Sequence, residues 1–236
     1  MGVINIARKK KDYDRFPLLK REDISDEHAA TLFNYTGGGY MPVNQGLMKK
    51  NPSEEIKEYA SMLNEVLDKL DNHEGEVYRS TQSWKDINEI YEEYTNAKKD
   101  GNIQMDAFLS TSQDNSIASN NFPGDIKYKV ISKTGKDVSG LSDFPGEKEI
   151  LFKSGTQFKI KKIKAEKGKS GAIKGQILAL EIELEEVSEQ ISKSEHDIIA
   201  LSGEPYISKS QLIDLFVRNI NENDLQKYSD LLAIDK

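Results

Sequence analysis

The chain has 236 residues, is 36% hydrophobic and 31% charged, carries a formal net charge of -7 and has no cysteine. That length fits one sizeable domain, or one domain with a small appendage. The acidic balance argues against a protein built to grip a phosphate backbone, so nucleic acid is not an expected partner. The lack of Cys removes disulfides, Cys-ligated zinc and thiol nucleophiles together.

No run approaches the roughly 18 apolar residues of a membrane span. Arg8 to Lys11 follow a short apolar stretch, the reverse of a secretory signal's order, and Ile6 stands where a myristoylation motif wants Ser or Thr. The chain is therefore read as soluble and without a visible N-terminal address. Delivery into a host or target-cell cytoplasm would need another route.

Residues 1–23 are rich in charge and read as an N-terminal arm. Ser25 or Asp26 then offers a cap for a helix carrying Ala29, Leu32 and Phe33. Tyr35-Thr36-Gly37-Gly38-Gly39-Tyr40 reads as a loop, because three glycines forfeit too much entropy within a helix. From Pro52 to Leu70 the apolar residues Ile56, Tyr59, Leu63, Val66, Leu67 and Leu70 recur at helical spacing. Glu76 to Ser80 reads as a short strand, and Trp84 to Ala97 as a second amphipathic helix with Trp84 in the core. Ala107 to Leu109 is a short apolar strand leading into Ser110. Asp125 to Ser132 is another strand, and 134–146 is read as loop. Glu147 to Phe152, Thr156 to Lys164 and Ile173 to Glu185 complete the strands; in the last, Leu180, Ile182 and Leu184 alternate with Glu181, Glu183 and Glu185. The expected domain spans 24–186. Beyond it, 187–236 reads as a small helical appendage with helices at 208–219 and 223–233.

Three short motifs follow one another in fixed order: Tyr78-Arg79, Ser110-Thr111-Ser112, and Phe144-Pro145-Gly146-Glu147-Lys148-Glu149. On these residues the chain resembles the mono-ADP-ribosyltransferases of the Arg/Ser-Thr-Ser/Glu-x-Glu class, the group of clostridial binary toxins and bacterial or phage effectors. The resemblance implies an α+β fold of two small, roughly perpendicular sheets around an NAD cleft, with flanking helices. It implies transfer of ADP-ribose from NAD to an arginine of a target protein, with release of nicotinamide and no metal. In that family the second Glu, here Glu149, bonds the nicotinamide ribose and supports the oxocarbenium-like state, since stabilising developing charge is usually the largest catalytic contribution. Ser110 fixes the Glu149 rotamer, and Arg79 binds the diphosphate with its planar fork.

Strand geometry would put Glu147 and Glu149 on one face, about 7 Å apart. One would then serve NAD and the other the acceptor. The resemblance gives Glu147 the guanidinium of the acceptor, a bidentate partner for a carboxylate, and Phe144 the loop that meets the protein substrate. It places Tyr35 and Asn44 on the adenosine side and Phe122 against nicotinamide, with Thr111 and Ser112 completing the cofactor-binding triplet, Thr111 at the strand end and Ser112 at the turn. Relatives carry an Arg shortly after Phe122; here Pro123, Gly124 and Asp125 follow, and Lys127 is a poor substitute.

Other features fail as sites. His28, His73 and His196 are scattered and form no metal-ligand spacing. The lysines from Lys153 to Lys174 interleave with Phe158, Ile160 and Ile163 and read as the solvated face of a hairpin, paired across strands with Glu181 and Glu183. Two alternatives stay open: an NAD glycohydrolase, with water replacing arginine, and a non-catalytic module docking a partner through 139–146 and the C-terminal helices. Retention of every catalytic residue type counts against the second.

Overall fold

The structure, a computed structural model, describes residues 22–142, 144–187 and a strand at 198–200. Most of the expected arm and the helices expected at 208–219 and 223–233 lie outside the described residues.

Helix α1 (Asp26–Asn34) starts where the sequence offers its cap: the Ser25 hydroxyl accepts the His28 N–H at 3.2 Å. The loop expected next is replaced by helix. The chain passes through one wide π-helical turn, Tyr35–Gly39, directly into α2 (Tyr40–Leu47), and the Tyr40 N–H bonds the Tyr35 carbonyl. Gly38 takes up the bend at φ 125, a conformation that glycine adopts without a Cβ clash. Helix α3 (Glu54–Asp68) is capped by Ser53 and buries Tyr59, Leu63, Val66 and Leu67. The Tyr59 hydroxyl donates to the Thr31 carbonyl at 2.9 Å, tying α3 to α1.

The sheet is built from β1 (Asn72–Thr81), β2 (Asn102–Met105), β3 (Leu109–Ser112), β4 (Ile126–Asp137), β5 (Glu149–Phe152), β6 (Thr156–Lys167), β7 (Ile177–Glu186) and β8 (Ile198–Ala200). Helix α4 (Ile87–Asp100) lies between β1 and β2 in sequence, and α5 (Asn115–Asn121) between β3 and β4. The strand order is β1-β3-β5-β4-β7-β6-β2-β8, with β1 also paired to β4. Strand β8 falls within the segment read as helical and adds in parallel to β2.

The α+β architecture stands, and strands of both expected sheets join in one hydrogen-bonded network through β1 and β4. Residues Ile126–Ile131 of β4 lie between β1 and β7, whereas Lys136 and Asp137 pair with β5. Between these stretches the β1–β4 register slips, and the ladder steps over Lys133 and Thr134. Buried Glu186 meets the backbone there: its carboxylate accepts the Lys133 N–H at 2.6 Å, the Thr134 N–H at 2.8 Å and the Thr134 hydroxyl. The loop expected at 134–137 is for that reason strand.

The core lies between α4 and the sheet, around Val77, Ile90, Tyr94, Ile103, Phe158 and Leu184, with Trp84 partly buried against it. On the other face of β6–β7 the lysines pair as the sequence suggests: Lys161 with Glu185 at 2.8 Å, Lys164 with Glu181 at 2.9 Å and Lys162 with Glu183 at 3.5 Å.

Candidate active site

The three motifs converge through strand pairing. In the antiparallel β3–β5 ladder Ser112 lies opposite Glu149, Thr111 opposite Ile150 and Ser110 opposite Leu151. Residues two apart share a face, so Ser110 and Ser112 flank Glu149 while Thr111 points the other way. Strand β1 joins β3 at the single pair Tyr78–Ser112, which sets Arg79 beside the triplet. The Arg79 Nη1 donates to the Ser110 carbonyl at 2.9 Å, so the cation and the hydroxyl residue are bonded directly.

Glu149 is the electrostatic centre. It is buried, and the Ser110 side chain stands by its carboxyl and favours the ionised form. Burial pushes its pKa up to about 7; Ser110 opposes this, nearby Glu147 adds to it and Arg79 opposes it. In its ionised form a buried carboxylate beside Ser110 and Arg79 is suited to stabilising developing positive charge, because little water screens it there.

Glu147 departs from expectation. Strand β5 begins at Glu149, and Glu147 ends a 3-10 turn, Pro145–Glu147. Pro145 and Gly146 cannot extend the strand, and Lys148 adopts the left-handed conformation, φ 48. The two glutamates are therefore separated by a turn, and the shared strand face is corrected. Ser112 holds that turn, since its hydroxyl donates to the Glu147 carbonyl at 2.8 Å and accepts the Asp114 N–H at 3.1 Å. Further ties run from the Gln113 N–H to the Lys148 carbonyl at 3.1 Å and between Lys148 and Asp114 at 3.2 Å. Partial burial raises the Glu147 pKa above its ordinary value.

Thr111 and Ser112 are framework residues in this geometry. The Thr111 hydroxyl is buried and donates to the Ile150 carbonyl at 2.7 Å, and the Ser112 hydroxyl holds the turn before β5. Asn44 is likewise engaged: its amide donates to the Phe108 carbonyl and to the Tyr35 hydroxyl, and its oxygen accepts the Phe108 N–H, each within 3.3 Å. Tyr35 is buried, with its ring edge-on to Phe108 at 5.3 Å. The Tyr35–Asn44 pair thus anchors the start of β3. Burial and the Glu149 charge raise the Tyr35 pKa well above its ordinary value.

Tyr40 is the residue that sequence reasoning missed. It is 43% exposed, and its hydroxyl, whose pKa is raised chiefly by burial of that end, feels Arg79, Glu147 and Glu149. Its ring meets Tyr35 edge-on at 6.4 Å. The signal was the tyrosine pair bracketing the glycines, five residues apart, which only a π turn brings to one side. Phe144 and Phe122 are exposed, the latter as the C-cap of α5. After Phe122 the chain makes a splice to the end of β1: Gln82 donates to the Pro123 carbonyl at 2.8 Å, Asp125 accepts from the Ser83 N–H at 2.6 Å, and Gly124 packs so tightly on the Thr81 carbonyl that a Cβ would clash.

A mixed sheet cradling an Arg, a Ser-Thr-Ser strand and a buried Glu defines the class of ADP-ribosyltransferases, and the fold is that of solved members. One is the Vis toxin of Vibrio splendidus in complex with agmatine, which matches with TM-score 0.57 and 20% identity over 78% of this chain and 85% of that one. The chain belongs to the ADP-ribosyltransferase exoenzyme family, whose model matches residues 9–184. Among curated proteins it is 34% identical over 142 residues to the putative NAD(+)–arginine ADP-ribosyltransferase Mav of Mycobacterium avium, covering 59% of this chain and 16% of that protein. It is 27% identical over 139 residues to the NAD(+)–protein-arginine ADP-ribosyltransferase Tre1 of Serratia proteamaculans, covering 58% of this chain and 29% of that protein. The chain thus spans less than a third of either curated relative.

Proposed function

We propose that the protein is a mono-ADP-ribosyltransferase, a toxin or effector that moves ADP-ribose from NAD to an arginine of a target protein. The observation that carries this reading is Glu149, buried, flanked by Ser110 and set beside Arg79. The names of the curated relatives support arginine as acceptor. Residues 24–186 form the catalytic unit.

In this reading Arg79 holds the diphosphate and the ionised Glu149 faces the nicotinamide ribose. The bond from the ribose C1′ to the nicotinamide nitrogen breaks, nicotinamide leaves with the electron pair, and the positive charge on the sugar is stabilised by Glu149. A guanidinium nitrogen of the acceptor then bonds C1′ and gives up a proton. Glu147, whose raised pKa makes it a better base than a solvated carboxylate, orients that guanidinium and takes the proton. Phe144, exposed at the head of the turn, meets the target protein.

The test measures nicotinamide release and labelling of agmatine, a small guanidino acceptor, in the same samples. Release with matching agmatine labelling is expected. Release without labelling would make the protein an NAD glycohydrolase. In Glu147→Gln, labelling should fall sharply while slow hydrolysis persists, because water needs less orientation and less proton removal than a guanidinium. Equal losses of both would assign Glu147 to the NAD site.

A further inference from the structure

We infer that the catalytic domain is closed to its own reaction because it presents lysine wherever its surface needs a cation. The inference rests on the arginine-directed reading above. The arginines of the chain are Arg8, Arg15, Arg21, Arg79 and Arg218, and all its other basic side chains besides histidine are lysines. Among the described residues Arg79 alone is arginine, and it sits inside the site with Nη1 bonded to the Ser110 carbonyl.

The cations that brace the rest of the domain in the described residues are lysines. Lys129 pairs with Glu76 at 2.6 Å, Lys153 with Asp68 at 2.6 Å, Lys161 with Glu185 at 2.8 Å and Lys164 with Glu181 at 2.9 Å. A guanidinium would make two parallel bonds to each carboxylate where an ammonium makes one. The same property that makes arginine the better ion-pair partner makes it an acceptor: its planar fork is what a carboxylate such as Glu147 orients. Both cations are protonated at neutral pH, but an ammonium nitrogen has all its valences taken and no second nitrogen to hold it in register, whereas each terminal guanidinium nitrogen keeps a delocalised electron pair that a carboxylate can free by drawing off a proton. Lysine thus keeps the charge and withholds the nucleophile. The choice extends into the site, where Lys148 stands between the two glutamates.

The test adds acceptors without changing charge. In one variant, Lys57→Arg, Lys129→Arg, Lys162→Arg and Lys164→Arg are combined; these side chains are 53%, 40%, 60% and 60% exposed and lie outside the catalytic machinery. Wild type and variant are incubated with NAD, digested and mapped by mass spectrometry, with agmatine labelling measured in parallel. Wild type should carry no ADP-ribose within 22–187, and the variant should carry it at one or more of the four substituted positions. A variant that labels agmatine but stays unmodified at all four positions overturns the inference and leaves the proposed reaction standing. ADP-ribose on Arg79 or on a lysine of the wild type overturns it as well. Failure of the wild type to label agmatine refutes the arginine-directed reading itself, and this inference with it.

Discussion

Replacing Glu149 by Gln should stabilise the protein, and by an amount that depends on pH. In the fold the Glu149 carboxyl titrates at about 7, against 4.5 for a solvated glutamate. Because the folded value is the higher one, the native state holds its proton longer than the unfolded chain does. The contribution of this group to stability is therefore fully present below pH 4.5 and is lost as pH rises toward 7. At about 1.4 kcal/mol per pH unit, the loss amounts to about 3 kcal/mol. The glutamine amide has no proton to release, so the variant escapes the loss. Its advantage over wild type should widen by about 3 kcal/mol between pH 4.5 and 8, or by roughly 6–12 °C in Tm for a protein of this size. Urea or thermal unfolding of both proteins without NAD, at half-unit pH steps, measures it. Parallel stability profiles across that range would refute the argument, because they would mean that no buried carboxyl ionises at position 149. The same variant should lose both transfer and hydrolysis, since the charge that stabilises the sugar cation is gone while its shape remains.

The pH profile of wild-type kcat/KM for NAD should fall about tenfold per pH unit on the acid side of a midpoint near 7, as protonated Glu149 carries no charge; a profile flat to pH 5.5 would remove Glu149 from the free-enzyme ionisation. Arg79→Lys should weaken NAD binding by about tenfold or more, because lysine keeps the charge and loses both the fork and the bond to the Ser110 carbonyl. Calorimetry showing unchanged affinity would take Arg79 out of the diphosphate site.

Much of the fold was legible from local rules. Ser25 and Ser53 announce α1 and α3 as caps, and the alternation of Leu180, Ile182 and Leu184 with glutamates announces β7. The grouping of Arg79, Ser110 and Glu149 was legible through the resemblance carried by the three motifs, and the pairing of β1 and β5 with β3 brings them together. The rest was hidden wherever a distant group overrides local composition. The Thr36-Gly37-Gly38-Gly39 run reads as a helix breaker, yet the widened turn keeps the chain helical and brings Tyr40 within the fields of Arg79, Glu147 and Glu149. Residues 134–137 read as loop because the carboxylate that satisfies Lys133 and Thr134 is more than fifty positions away, at Glu186. Glu147 was placed on a strand by its spacing from Glu149, a rule that ignores the Pro145-Gly146 pair just before it.

Because a left-handed Lys148 stands between them, the two glutamates answer to different parts of the molecule. Glu149 inherits its position from β5 and cannot move without unzipping the ladder to β3. Glu147 inherits its position from a short turn held by Ser112, Gln113 and Asp114. Under the proposed roles, sequence change within 144–148 would alter how the acceptor is met while leaving the strand that carries Glu149 as it is.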